Sequence, residues 1–214
     1  MNRRSRVGSA LLAGALLAGA ATACGTDSKP SSKPSSIAWE KLRPDEFQSA
    51  PDPQKLFSPE LWATLHDPES PLSGCKHTPS PGVDLWDCSL PGHEAENGER
   101  QAATVTLTEY GPTSDWTPVA HATAVFEQDH MTYPKTPLSS QTPLGDQVYE
   151  VPPNVSQVNP HGLNFRMRNV IVEILARIDK SGDKGDETVL HAAQRALAWN
   201  VATDLSHGLT RLRP

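Results

Sequence analysis

The sequence predicts an α+β domain: an antiparallel sheet with helices packed mainly on one face, a long C-terminal helix and one disulfide. Three observations carry this. Residues 163–178, "LNFRMRNVIVEILARI", form the strongest β pattern in the chain. As one strand they would run ~53 Å, well past the usual five or six residues, so they must fold back as a hairpin. Residues 187–207 place apolar side chains at three- and four-residue steps, the signature of a helix with one buried stripe.

The elements follow in order. Ser58-Pro59-Glu60 opens a helix, with a hydroxyl N-cap, proline at the first position and an acid in the first turn. It would carry Leu61, Trp62 and Leu65 inward and stop before Asp67-Pro68. Residues 83–90 and 103–110 read as strands; Thr104, Val105, Thr106, Leu107 and Thr108 are β-formers in near-strict alternation. The polar link between them, "PGHEAENGER", contains two glycines and favours antiparallel pairing. Thr117-Pro118 starts a second helix that runs to about Asp129, with Val119, Thr123 and Phe126 on one face and Trp116 leading in. Trp62, Trp116 and Trp199 are expected in the core or at its edge.

A proline-rich loop over 131–146 precedes a short strand at 147–151. The hairpin over 163–178 should break at Arg168-Asn169, because asparagine tolerates a left-handed backbone. Its second arm is apolar on both sides, with Val170, Val172 and Ile174 on one and Ile171 and Leu175 on the other. That arm should be central and covered on both faces. In the last helix Asp186 is the N-cap, Leu190, Ala193, Leu197, Val201 and Leu205 form the stripe, and Gly208 suits the C-terminal cap.

The front of the chain reads as an export signal. Arg3, Arg4 and Arg6 precede an apolar run, 7–20, and a small-residue cleavage site, Ala21-Thr22-Ala23. The expected organisation is a signal peptide over 1–23, a flexible polar spacer over 24–36 and one extracytoplasmic domain over 37–214. "AATAC" resembles the lipobox of bacterial lipoproteins, departing from it at Ala21, where leucine is usual. Two fates share the bond before Cys24. Simple secretion would leave a free N-terminal thiol; lipoprotein processing would make Cys24 the lipid-attachment residue. An exposed lone thiol invites intermolecular disulfides in an oxidising compartment, which favours lipidation. A diacylglycerol thioether also supplies more than one acyl chain, the condition for stable anchoring. The spacer, rich in Ser, Lys and Pro, would hold the domain ~30–40 Å from a membrane surface.

Composition narrows the partners. Cleavage after Ala23 leaves 16 Lys+Arg against 25 Asp+Glu, a net charge of −9. No nucleic-acid partner is expected, because phosphate binding needs a concentrated basic surface. Cys75 and Cys88 are expected to pair by elimination and by compartment, closing a loop worth roughly 3 kcal/mol in chain entropy. The rival is a metal set of both thiols with His77. Oxidation outside the cytoplasm and the lack of a CxxC motif argue against it.

The order of "GDQVYEV", "FRMRNVIVEILARI" and "ETVLHAAQRALAWNVATDL" resembles small exported lipoproteins of actinobacteria, many known only as domains of unknown function. It is also similar to the extracellular sensor-like domains of mycobacterial serine/threonine kinases. The resemblance covers about Ser58 to Leu209 and rests on element order and hydrophobic pattern. It implies an exported ligand-sensing or protein-interaction module. Two departures stand out: the kinase domains carry a second disulfide, and Arg168 occupies the turn position where glycine is expected.

Catalytic signatures are absent from the sequence. There is no G-x-S-x-G and no glycine-rich phosphate loop, and His93-Glu94 lacks the second histidine of H-E-x-x-H. The calcium-like stretch from Asp179 has Lys184 at its sixth position and Leu190 at its twelfth, where glycine and glutamate are required. The eight histidines are scattered and read as surface residues. Asn154-Val155-Ser156 matches a glycosylation sequon. Trp86 and Tyr110 are the candidates to line a ligand cleft, with core packing as the competing role. The expected function is a membrane-anchored, non-enzymatic binding or sensor-like module without a cofactor. The alternatives are a structural or protein-interaction partner of a cell-envelope protein, and a hydrolase whose triad is assembled from distant residues.

Overall fold

The computed structural model describes residues 46–130, 144–151, 160–180 and 186–212, all within one unit, Ile37–Pro214. The export signal, Cys24, the spacer, most of the proline-rich loop and the sequon at Asn154 lie outside the described residues, as does the middle of the calcium-like stretch. In chain order the elements are α1 (Pro53–Leu56), α2 (Pro59–Leu65), β1 (Gly74–Ser80), β2 (Val83–Leu90), β3 (Glu99–Tyr110), α3 (Pro118–His130), β4 (Gln147–Val151), β5 (His161–Met167), β6 (Val170–Lys180) and α4 (Glu187–Arg211). The strands form one antiparallel sheet in the order β1-β2-β3-β6-β5-β4. None of the described helices is long and apolar enough to cross a membrane.

Sheet alternation divides the side chains into two faces. Val170, Val172, Ile174, Ala176 and Ile178 of β6 point to the front, beside Leu163 and Phe165 of β5 and Val105 and Leu107 of β3. α1, α2 and α4 cover that face and close the main core. α4 contributes Leu197, Ala198, Val201, Ala202 and Leu205. Among the described residues the back face carries only α3, whose Ala122 and Phe126 pack on Ile171 and Tyr149.

The caps read from the sequence form as expected. Ser58 Oγ accepts from the Leu61 N–H at 3.3 Å, and Asp186 Oδ1 accepts from the Thr188 N–H at 2.8 Å. Ser58 also ties α2 to α4, because its own N–H donates to Asp204 Oδ2 at 2.6 Å.

β1 is an element that the sequence does not predict. Gly74–Ser80 has no apolar alternation and contains Pro79, so it reads as loop. It is an edge strand, where proline's missing N–H costs nothing on the outer side. Pro81-Gly82 turns it into β2, with Gly82 at φ 79° as a Pro-Gly turn requires. Cys75 and Cys88 then stand directly opposite each other and form the disulfide, with S–S 2.02 Å. Both thiols are consumed, so the metal set with His77 is overturned.

Four further expectations are corrected. Gly208 is not a cap: α4 continues to Arg211, and Gly208 lies inside it, buried against Leu56 of α1. The hairpin breaks where expected, but Arg168, at φ 59°, takes the left-handed backbone. Asn169 instead turns its side chain fully inside. Leu175 is 45% exposed, so β6 is not covered on both faces along its length; α3 packs on Ile171 and does not bury Leu175. Trp116 is 45% exposed and precedes α3. Thr113 Oγ1 accepts from the N–H groups of Asp115 and Trp116, fixing a surface turn, and Pro118 takes the buried place.

Candidate functional site

The back face can be laid out in rows, because strand register sets which side chains stand side by side. One row is Ser89, Thr104, Leu175 and Gly162, on β2, β3, β6 and β5. The next is Lys76, Asp87, Thr106, Glu173, Asn164 and Tyr149, from β1 to β4. The third contains Leu85, Thr108, Ile171 and Arg166. α3 lies on Tyr110, Ile171, Tyr149 and Val151. The first row from Ser89 to Leu175 and the β1–β3 side of the second are left open, with Asp87, Ser89, Thr104 and Leu175 all exposed.

Over this open half run two adjoining shallow hollows. One, of about 340 Å³, is lined by Leu72, Ala102, Thr104, Pro160, Leu175 and Arg177. The other, of about 470 Å³, shares Leu72, Ser89 and Thr104 with it and extends to the disulfide edge. Leu72, on the loop before β1, is 73% exposed. Two large aliphatic side chains thus flank one groove in water.

The second row carries Lys76 and Asp87 opposite each other on the exposed β1–β2 side and the half-buried Glu173 further in. Burial raises the Glu173 carboxyl above its ordinary range, and the carboxylates of Asp129 and Asp87 raise it further. Glu173 receives one long hydrogen bond, from Asn164 Nδ2 at 3.4 Å. Asp87 accepts from Thr106 Oγ1 at 2.9 Å. The Tyr110 hydroxyl is pushed up to about 12, by burial and then by Glu173 and Asp129. Arg177, at the end of the groove, is already engaged by Asp179 at 3.0 Å.

The two residues singled out from the sequence are not brought together. Tyr110 is on the back face, edge-on to His121 at 4.9 Å. Trp86 is on the front face, in register with Leu107 and stacked on His77 at 4.4 Å. Its Nε1–H donates to the Ala50 carbonyl at 3.1 Å, and it packs on the main core beside Cys75.

That bond belongs to a second polar cluster, which holds the segment 46–50 across the front of the sheet. Asn169 Oδ1 accepts from the Phe47 N–H at 2.9 Å, and Nδ2 donates to Phe47 O at 2.9 Å and Glu109 Oε1 at 2.7 Å. Asp84 Oδ2 accepts from the Ala50 N–H at 2.9 Å, and Oδ1 meets His77 Nε2 at 2.6 Å. Burial, with the charges of Asp84 and Glu46 beside it, raises Glu109 to about 7, against the lowering effect of the Asn169 hydrogen bond. A carboxyl raised in the folded state favours folding at low pH. Its contribution is complete below pH ~4.5 and is lost as pH rises through ~7. Glu109→Gln keeps an oxygen for Asn169 and removes the charge. It should raise stability at pH 8 relative to pH 5 by on the order of 2 kcal/mol compared with the parent. Urea midpoints at the two pH values check this; an unchanged difference would refute it.

A third cluster seals the β4 edge under α4. Arg195 donates to Glu150 through Nε at 2.9 Å and Nη2 at 2.6 Å, and Trp199 Nε1–H adds a bond at 2.8 Å. Glu150 is held below its ordinary range although burial opposes this; the Arg195 hydrogen bonds, then Trp199 and the charges of Arg195 and His161, outweigh it. His161 Nε2 lies 3.4 Å from Glu150 Oε2. Burial lowers the His161 imidazole, with the Arg195 and His191 charges adding to this against the pull of Glu150. His161 is 4% exposed, so the reading of scattered surface histidines fails here. Gln194, between His191 and Arg195 on α4, is fully buried with neither amide atom hydrogen-bonded. The sequence signal for this cluster is Glu150 itself, a lone acid in the short apolar strand "QVYEV". Nothing near His161 in sequence points to its partner.

No family model matches the chain, and no curated protein matches it. Among solved structures it is similar to the di-domain ARO/CYC StfQ from the steffimycin biosynthetic pathway. The two are 12% identical, over 77% of this chain and 44% of that one, with a TM-score of 0.20. This chain thus spans less than half the length of that protein, and a likeness at this level bears on neither fold nor function.

Proposed function

We propose that the protein is a membrane-anchored, extracytoplasmic binding module, held by lipid on Cys24, that engages a polypeptide of the cell envelope through the open half of its sheet. The observation that carries this is the groove between Leu72 and Leu175. Among the described residues three helices pack on one face and one on the other, leaving the aliphatic lips Leu72 and Leu175 exposed. Exposed apolar surface of this kind marks contact sites. The hollows are shallow and open, which suits an extended partner better than an enclosed small molecule. This favours the protein-interaction form of the binding reading.

Anchoring and binding are tested separately. The membrane-extracted protein should begin at Cys24 and carry the mass of a diacylated thioether; an unmodified Cys24 would overturn the anchor. A photocrosslinking side chain at Ser89, beside the groove, should give one discrete adduct in intact cells. The same group at the remote, exposed Gln54 should not. Equal patterns from both positions would refute the binding face.

A further inference from the structure

The groove is one row away from the carboxylates of Glu173 and Asp87. Leu175 and Thr104 are followed, two residues along the same strands and ~7 Å away, by Glu173 and Thr106, with Asp87 alongside. Asp129 of α3 adds its charge from above, acting on both Glu173 and Tyr110. Among the described residues no cation is paired with Glu173. Arg177 is paired with Asp179. Lys76 stands opposite Asp87 in register without a described ion pair. Arg166, one row further, is bound by Asp146, Gln147 and the Arg168 carbonyl. Glu173 is half-buried and its only described hydrogen bond is the long one from Asn164. A carboxylate withdrawn from water without a counter-ion is unfavourable, and a cation placed beside it regains that free energy.

We propose that this face docks a partner polypeptide segment whose aliphatic side chains fill the groove at Leu72 and Leu175 and whose lysine or arginine side chains reach Glu173 and Asp87. The inference rests on the binding-face reading above and adds the charge of the occupant. Two chemistries side by side make the selectivity. The leucines reward any aliphatic segment, whereas the carboxylate row rewards a cation and repels an acid, so partners are sorted by charge. An anionic phospholipid surface is disfavoured by the same row.

The test uses the full-length protein extracted in detergent and three eight-residue peptides. They share alternating leucines and carry lysine, serine or glutamate between them. The lysine peptide should bind saturably, weaken as salt rises, and weaken about tenfold on Glu173→Gln with Asp87→Asn. The glutamate peptide should not bind. Glu173→Gln removes an unfavourable buried charge, so the variant should remain folded and the comparison valid. Equal binding of the three peptides, all lost on Leu175→Ser, would overturn the cationic occupant while leaving the binding face intact. No binding that responds to Leu175→Ser would overturn both.

Discussion

Replacing Asn169 with alanine should cost about 4 kcal/mol and free Phe47 from the sheet. Asn169 is fully buried, and its one side chain satisfies four groups: Phe47 N–H and C=O, the Glu109 carboxyl and the Tyr110 carbonyl. Alanine leaves these groups buried without their partner, and each such loss costs ~1–3 kcal/mol where water cannot enter. The sum is held down because the segment 46–50 can lift off and reach water. The expected picture is therefore a destabilised domain with a loosened N-terminal segment, not a uniformly weakened one. Urea unfolding gives the first quantity and hydrogen exchange at the Phe47 amide the second. A loss below about 1 kcal/mol, or a Phe47 amide as protected as in the parent, would show that the cluster does not hold the segment.

Gly208→Ala should destabilise by about 3 kcal/mol, although alanine is the better helix former by ~1 kcal/mol. The two effects have opposite signs, and geometry decides between them. A Cβ at 208 would meet the Leu56 carbonyl oxygen at 2.4 Å, its Cα at 2.7 Å and its Cβ at 2.8 Å. These are mainly backbone atoms of a short helix, so no side-chain rotation relieves the overlap. α1 must move away from α4, which opens the buried Leu56 contact and strains the Arg211 Nη2 bond to the Leu56 carbonyl at 3.0 Å. Chemical denaturation of the single variant checks the sign. A neutral or stabilising result would mean that α1 shifts without cost.

Where local pattern and tertiary role coincided, the sequence was enough. Asp186, Ser58 and the stripe from Leu197 to Leu205 could be read because capping and amphipathic spacing are local. Length demands a break within residues 163–178, and Asn169 marks its place, although Arg168 takes the left-handed backbone. The misreadings share a physical cause, which is that tertiary contacts reassign a residue whose local signature points elsewhere. Gly208 looks like a cap because glycine ends helices, yet it is glycine because another backbone passes against it. β1 has no strand pattern, and pairing with β2 makes it one. Leu175 looks buried because its strand is central, and only the reach of α3 leaves it in water. The candidate groove had no local signal, since Leu72 and Leu175 are 103 positions apart in the chain. Trp86 and Tyr110 are aromatics on neighbouring strands, and alternation places them on opposite faces.

The anchoring of the N-terminal segment also sets an order of events in folding. Phe47 is fastened by Asn169, 122 positions later, Ser58 by Asp204, 146 later, and Leu56 by Arg211, 155 later. Contacts this distant in sequence close late, because a long loop must be formed before they reward it. During synthesis, the part of the domain made first thus includes the part that is fastened last. The sheet can assemble from its neighbouring strand pairs β1-β2, β2-β3 and β5-β6, and take up residues 46–50 through Asp84, Trp86 and Asn169, while residues 53–58 wait for α4. Until α4 has arrived, the stretch 53–58, with Leu56 and Phe57, lacks the partners of Ser58 and Leu56 and is left as open chain for a chaperone or protease to find.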